Sequence, residues 1–139
     1  MKPKIAVVGA GYWGKNLVRN FYELGHLGVI CDANELLKPG FEEKYPGTAY
    51  RLNYGKVLGD DEIDGVVLAT PAVSHYTMAK DALSAGKHVF VEKPLALEVD
   101  EGQELVSLAQ HHSRILMVGH ILQYHNAVLR LKDLIDGGE

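Results

Sequence analysis

The sequence has one cysteine, no excess of positive charge and no long apolar run. Cys31 cannot form an internal disulfide, so we expect a reducing, cytoplasmic setting. The formal net charge of −4 and the pI near 6.0 give no reason to expect nucleic acid or an anionic membrane as a partner. No apolar run approaches the ~18 residues of a membrane-spanning helix, and no signal-peptide pattern opens the chain.

The composition is that of one globular domain. The 139 residues are 47% hydrophobic and 23% charged, which suffices for one sizeable core but not for two. Cys31 lies within an apolar run, so we expect a buried structural thiol rather than a reactive one.

Apolar, strand-like runs alternate with helical patterns along the chain, which predicts βαβ units and a parallel sheet. Strands are expected at 4–8, 28–31, 65–69, 88–91 and 115–118, with a short sixth near 48–50. Helices are expected at 13–24, 34–44, 53–58, 74–85, 99–111 and 124–136. Pro39 and Gly40 should break or kink the second helix. In the fifth helix, one face is expected to carry Gly102, Leu105, Val106 and Ala109.

A glycine-rich turn follows the first strand and opens the first helix. In a dinucleotide-binding turn, Gly9 permits the tight bend, Gly11 lets a pyrophosphate approach the backbone, and Gly14 lets the helix pack closely. The helix N-terminus then offers N–H groups to the phosphates. Tyr12 and Trp13, between the glycines, are further candidate cofactor contacts. The alternative is an ordinary βα turn of another α/β protein.

An acidic residue ends the second strand. Asp32 lies 18 residues after Gly14, near the ~20 expected for the acid that binds a ribose diol. Its charge also disfavours a 2′-phosphate, so we expect NAD rather than NADP. The alternative is an N-cap before the helix that begins around 33–35.

Two residues with hydroxyl side chains follow the strand that is expected at 65–69. Pro71 turns the chain between Thr70 and Ser74, and both hydroxyls are candidates for contact with the nicotinamide ribose or ring. The alternative is a helix start with Ser74 as the N-cap. His75 taken by itself is more typical of a helix surface.

Two opposite charges directly follow strand 88–91. Lys93 near a nicotinamide is a candidate base, or a group that holds a substrate hydroxyl for one. Partial burial would lower the pKa of Lys93, whereas Glu92 nearby would oppose that shift. The alternative is a solvated pair in a loop.

Histidines follow strand 115–118. His120 and His125 do not have the i, i+4 spacing of a helical ligand pair, and no third ligand is evident. We therefore expect no metal site.

Four motifs in this order resemble the Gfo/Idh/MocA oxidoreductases, and the resemblance covers essentially the whole chain. The motifs span 9–14, 70–75, 85–96 and 117–120, and the most specific part is 92–94. The resemblance implies a Rossmann-type, doubly wound α/β domain with a mainly parallel sheet of about six strands and helices on both faces. It also implies that this domain, 1–139, lacks the family's C-terminal domain for substrate and assembly. A full-length form is expected to be a homo-oligomer.

The resemblance also assigns roles to residues. Lys93 is implied to lie beside the nicotinamide and the substrate carbon, as base or proton-relay partner. Glu92 is implied to lie near the nicotinamide, and the bond into Pro94 to be cis. The residues implied to line the cofactor cleft are Thr70, Pro71, Ser74 and His75.

Residues 119–125 look most like the nucleotide-sugar branch, the UDP-N-acetylglucosamine 3-dehydrogenases and their relatives. This implies substrate contacts from Lys93, His120, Gln123 and Tyr124, although Gln123 stands where the family often has arginine. The expected activity is hydride transfer between a sugar hydroxyl and NAD, giving a 3-keto sugar. Alternatives are an inositol or simple aldose dehydrogenase, and a non-catalytic NAD(H)-binding sensor or interaction module. A methyltransferase that binds S-adenosylmethionine does not explain 92–94.

Overall fold

Six parallel strands form one sheet at the centre of the computed structural model, which describes residues 2–138. The strands are β1 (Ile5–Val8), β2 (Leu27–Cys31), β3 (Ala49–Arg51), β4 (Gly65–Leu68), β5 (His88–Val91) and β6 (Leu116–Val118). Their spatial order is β3-β2-β1-β4-β5-β6, and every neighbouring pair is parallel. All six expected strands are confirmed.

Helices follow the strands on both sides of the sheet. They are α1 (Gly14–Glu23), α2 (Lys38–Lys44), α3 (Tyr54–Leu58), α4 (His75–Ser84), α5 (Val99–His111) and α6 (Asn126–Asp136). Short 3-10 turns at Glu35–Leu37, Ala72–Ser74 and Ile121–Tyr124 precede α2, α4 and α6.

Alternate residues of the central strands build two separate cores. Val7 and Val67 pack on the side of α1 and α2, together with Val18. Ala6 and Leu68 pack on the opposite side, with α3, α4 and α5. Because successive side chains of a strand point to opposite faces, a strand covered on both sides must be apolar throughout. The predicted doubly wound fold is confirmed.

The helix expected at 34–44 is divided into the Glu35–Leu37 turn and α2, but the division lies before Lys38, and α2 runs through Pro39 and Gly40, where a break or kink was expected. The Glu35–Leu37 turn ends and α2 begins with Pro39 in its first turn. A proline is accepted there because the N–H it lacks would have no partner within the helix. Pro39 therefore opens a helix rather than ending one.

The apolar face that was predicted for the fifth helix is wrong in part. In α5, Leu105 is fully buried but Val106 is 45% exposed. The face that meets the sheet runs through Leu105 and Ala109, four residues apart, with Leu108 packed beside them. Val106 lies beyond the edge of this stripe.

Helix α6 stands apart from the two cores. None of its residues is buried, and its main neighbour is the Ile121–Tyr124 turn. Within residues 2–138, no helix is long and apolar enough to cross a membrane.

The strand order places a crevice at the carboxyl edge of the sheet. Strand β1 continues to β2 on one side, whereas β4 lies on its other side. The loops after β1 and β4 therefore leave in opposite directions, which is where open α/β sheets bind ligands.

Candidate functional site

The loop after β1 has three glycines in three different surroundings. Gly9 has φ +87°, and a Cβ there would lie 2.8 Å from the carbonyl of Ala69. A Cβ on Gly14 would lie 1.8 Å from the carbonyl oxygen of Gly9. A Cβ on Gly11 would meet nothing within 4 Å. Gly9 and Gly14 are thus needed by the fold, whereas Gly11 borders open space in front of the helix.

Asp32 is tied to this loop. Its Oδ2 accepts a hydrogen bond from the Ala10 N–H at 2.7 Å, and its Oδ1 accepts one from the Asn34 N–H at 2.8 Å. The alternative interpretation of Asp32 as N-cap is wrong, because the N-cap is Asn34, whose side chain accepts from the Leu36 N–H at 3.1 Å. The bond to Ala10 fixes the carboxylate at the crevice.

Two adjoining clefts run along the carboxyl edge and share Ala69 and Thr70. The first, here called the glycine-loop cleft, has a volume of about 510 Å³ and lies between Gly11 and Asp32. The second, here called the lysine cleft, has a volume of about 1060 Å³ and lies between Thr70 and Lys93. The two adjoining clefts, here together called the trough, are lined by residues that follow β1, β2, β3, β4, β5 and β6.

Most of the residues singled out from the sequence line this trough. The glycine-loop cleft has Gly9, Gly11, Asp32, Thr70 and Pro71 in its lining. The lysine cleft has Trp13, Thr70, His75, Glu92, Lys93, His120 and Gln123 in its lining. Residues that follow five different strands or turns are therefore brought to one edge.

Four of the singled-out residues lie outside both linings. Tyr12 and Tyr124 stand in solvent, 87% and 69% exposed. Gly14 lies beneath Gly9. The Oγ of Ser74, at the N-cap position of α4, makes no cap bond and lies 2.7 Å from the carbonyl oxygen of Pro71.

The glycine-loop cleft also contains residues that the sequence reasoning missed. Leu52, Tyr54 and Met78 line it. Leu52 directly follows β3, so the carboxyl-edge rule applied to the short third strand would have found it. Tyr54 and Met78 carried no such signal, because a hydrogen bond from the Tyr54 hydroxyl to the Met78 carbonyl at 2.8 Å brings them together.

Glu92 and Lys93 differ in burial, so the solvated-pair interpretation is wrong. Glu92 is only 9% exposed, and a Cβ on Gly119 would lie 3.0 Å from its carboxylate oxygens. Its Oε1 is buried without a hydrogen-bond partner in residues 2–138. A buried polar atom without a partner is costly to the fold and marks a place where a ligand donor can bind.

Lys93, by contrast, is exposed and lines the lysine cleft. Across the described part of the chain, no ion pair joins Lys93 to Glu92. The bond between Lys93 and Pro94 is cis, as the resemblance implied.

His75 is buried, so its interpretation as a helix-surface residue is wrong. The side chain is 1% exposed. Its Nδ1 lies 2.6 Å from the carbonyl oxygen of Pro94, and its Nε2 lies 2.8 Å from that of Thr70. These contacts draw the ring inward between the loops that follow β4 and β5.

Cys31 lines the glycine-loop cleft but is a buried thiol, as predicted. Burial raises its pKa to about 11, and the negative charge of Asp32 adds to that shift. Burial likewise raises the pKa of Tyr54. Both groups are neutral at pH 7. Within residues 2–138, no three His, Cys, Asp or Glu side chains are grouped as metal ligands would be.

Comparison with known proteins gives the family of the chain. Residues 3–120 match the model of the Gfo/Idh/MocA oxidoreductase family, NAD-binding Rossmann fold. The chain belongs to this family. As a Gfo/Idh/MocA domain it is an NAD-binding Rossmann domain of an oxidoreductase.

Relatives include enzymes and uncharacterised proteins. An uncharacterized oxidoreductase of Streptococcus pneumoniae serotype 4 is 33% identical over 135 residues, which are 97% of this chain and 36% of that protein. A UDP-N-acetylglucosamine 3-dehydrogenase of Acidithiobacillus ferrooxidans is 28% identical over 133 residues, 93% of this chain and 40% of that protein. The chain therefore spans well under half the length of these relatives.

A solved structure agrees with the fold. The WlbA dehydrogenase of Bordetella pertussis, in complex with NADH and UDP-GlcNAcA, superposes with a TM-score of 0.90 at 27% identity. The match covers 99% of this chain and 44% of that one.

Proposed function

We propose that this domain binds NAD along the trough and orients its nicotinamide for hydride transfer to or from a ring carbon of a nucleotide sugar. The observation that carries the proposal is the continuity of the trough. It runs from the carboxylate of Asp32, past the open backbone of Gly11, to Glu92 and Lys93. The family match supports the cofactor, and the 3-dehydrogenase relative supports the sugar.

The residues present fit a dinucleotide. The open space over Gly11 and the N-terminus of α1 offer a place for the pyrophosphate. Each oxygen of Asp32 has a further lone pair beside its backbone bond, so the carboxylate can accept from ribose hydroxyls. Its fixed negative charge opposes a 2′-phosphate, and we therefore propose a preference for NAD over NADP.

The other end of the trough supplies the acid–base groups. When bound, the cofactor would supply the acceptor or the donor of a hydride at the substrate carbon. In the oxidising direction the sugar hydroxyl gives its proton to a base as the C–H bond gives up its electron pair, leaving a 3-keto sugar. We assign Lys93 as that base or as its relay partner, and the unpartnered Oε1 of Glu92 as an acceptor for the nicotinamide end.

The substrate end is the part of the lysine cleft after β6. His120 and Gln123 line it, and we assign them to the sugar. Tyr124 is assigned with them, although it stands outside the lining. The whole protein, by analogy with its longer relatives, is proposed to add a second domain over this end and to assemble as a homo-oligomer.

Cofactor binding is testable through Trp13, the single tryptophan of the sequence, which lines the lysine cleft. Bound NADH is expected to quench Trp13 emission by energy transfer, with NADPH much weaker and S-adenosylmethionine without effect. Asp32→Asn should bring NADH and NADPH affinities together, because the charge is removed. Equal affinities in the unsubstituted chain would contradict the assignment of Asp32.

Turnover is testable with Lys93→Ala in the complete enzyme. Loss of a positioned acid–base group is expected to lower kcat by about 10²- to 10⁴-fold, with NADH affinity retained. Unchanged activity would remove Lys93 from the mechanism and would favour the non-catalytic NAD(H)-binding module. Assays with a UDP-sugar, an inositol and an aldose then distinguish the substrate classes. The 139-residue chain alone is expected to bind NADH and turn over slowly at best.

A further inference from the structure

The ring of His75 lies between two backbone carbonyl groups. His75 is the first residue of α4 and is 1% exposed. The oxygen of Pro94 lies 2.6 Å from Nδ1, and the oxygen of Thr70 lies 2.8 Å from Nε2. Both distances are those of good hydrogen bonds.

Carbonyl oxygens only accept hydrogen bonds, and this restricts the form of the ring. A neutral imidazole has one N–H and one lone pair, so in either tautomer one nitrogen would present its lone pair to a carbonyl oxygen. Only the imidazolium donates from both nitrogens. We infer that His75 is held as an imidazolium that ties the loop after β4 to the loop after β5.

This clamp makes His75 a positioning residue for Lys93. The Pro94 carbonyl belongs to the residue directly after Lys93, and Thr70 lines both clefts. Fixing these two carbonyls fixes the backbone of Lys93 against the wall of the trough formed by Thr70. This last step rests on the function proposed above, whereas the protonation of His75 does not.

Some charged groups around α4 favour a positive charge on His75, and others oppose it. Glu92, Lys93 and His120 line the same cleft as His75. The buried carboxylate of Glu92 favours a cation nearby, whereas Lys93 and the N-terminus of α4 oppose it. Asp100 and Glu101 stand in the first turn of α5, and Glu104 of the same helix pairs with Lys80 at 2.6 Å.

The protonation is tested by ¹⁵N NMR of the chain labelled at histidine. His75 is expected to show two protonated ring nitrogens of similar shift throughout the neutral range, and the signal is assigned by its loss in His75→Gln. His88 is an internal reference for a neutral ring, because its Nδ1 accepts the Ile115 N–H at 3.0 Å. A His75 spectrum of the neutral kind at pH 7 would overturn the inference.

The positioning role is tested with two variants that each keep one donor. The amide of His75→Asn can reach the Pro94 side and that of His75→Gln the Thr70 side. In the complete enzyme, each variant is expected to lower kcat about tenfold, the worth of one charge-assisted hydrogen bond, with NADH affinity retained as in Lys93→Ala. His112→Gln, at the end of α5, is the matched control and should turn over normally.

Unaltered kcat in both variants would refute the positioning role, even if the ring proves to be an imidazolium. If the variants do not fold, triple-resonance assignment of the unsubstituted chain identifies the ring signals of His75, and their ¹⁵N shifts still decide the protonation. If the unsubstituted chain binds no NADH, the proposed function fails while the NMR result stands.

Discussion

Gly11 and Gly14 lie three residues apart in one loop, yet a methyl group would meet very different surroundings at each. At Gly14 it would lie 1.8 Å from the Gly9 carbonyl oxygen, so α1 must move. At Gly11 it would enter open space. The fold therefore requires a glycine at position 14, whereas at position 11 the glycine leaves space for the proposed ligand.

Gly11→Ala is therefore expected to fold with a Tm near that of the unsubstituted chain and to lose NADH affinity by at least tenfold, because the methyl group occupies the proposed pyrophosphate space. Gly14→Ala is expected to lower the Tm by several degrees, in line with overpacking costs of about 1–3 kcal/mol. Thermal melts and Trp13 quenching measure both. NADH affinity unchanged in Gly11→Ala would place the pyrophosphate elsewhere.

The buried thiol of Cys31 gives the stability a pH dependence at the alkaline end. Burial raises its pKa in the folded protein to about 11, whereas an unfolded cysteine has a pKa of about 8.5. As pH rises between these values, the unfolded chain loses the proton first. The contribution of Cys31 is therefore complete below pH ~8.5 and is lost as pH approaches about 11.

Urea denaturation of the chain and of Cys31→Ala from pH 8 to 10.5 measures this contribution. The stability of the unsubstituted chain is expected to fall by about 2 kcal/mol more than that of the variant over this range. Tyrosines and lysines titrate in both proteins and cancel in the difference. Parallel pH curves would show that the thiol ionises freely in the folded protein.

At single positions, the glycines, Asp32 and the burial of Cys31 were predictable from the sequence, whereas the burial of His75 and the exposure of Lys93 were not. The glycines and Asp32 were found because strand, turn and acid occur at a fixed spacing. The burial of His75 depends on the carbonyl of Pro94, nineteen positions along the chain. Lys93 is exposed although it directly follows the buried Glu92. No local pattern reports either one.

Among the elements, α5 shows that helical spacing predicts an apolar stripe but not which of two adjacent apolar residues is buried. Leu105 and Val106 are adjacent and equally apolar, and both fit an apolar stripe read from the sequence. Adjacent residues point about 100° apart around a helix, so only one can face the centre of the sheet. That residue is Leu105, which is buried in the core on the side of the sheet covered by α3, α4 and α5, and the spacing alone did not identify it.

Leu105→Ala is accordingly expected to lower the free energy of unfolding by about 2–5 kcal/mol, because a fully buried side chain leaves a cavity. Val106→Ala should change it by less than about 0.5 kcal/mol, since Val106 is 45% exposed. Chemical denaturation of the two variants is the measurement. Similar losses would mean that the α5 face is rotated toward Val106.

At the scale of the whole molecule, the chain consists of a double core and one helix outside it. The strands and α1 to α5 bury each other's apolar residues. Helix α6 carries apolar residues at helical spacing, but Val128, Leu131 and Ile135 all remain exposed. The sequence indicates that α6 is amphipathic, but it does not indicate what covers the apolar face. An apolar stripe shows that a helix face is suited to burial and does not show which surface it packs against.

Hydrogen exchange tests this division. A helix of 11 residues with no buried side chain is only marginally stable in water, so amides of α6 should exchange far faster than those of Val7 and Val67 in the cores. Equal protection in α6 at all concentrations would contradict the open position of the helix. Protection that appears only at high protein concentration would show that a second copy covers the exposed stripe, and slow exchange would then be a property of the assembly and not of the fold.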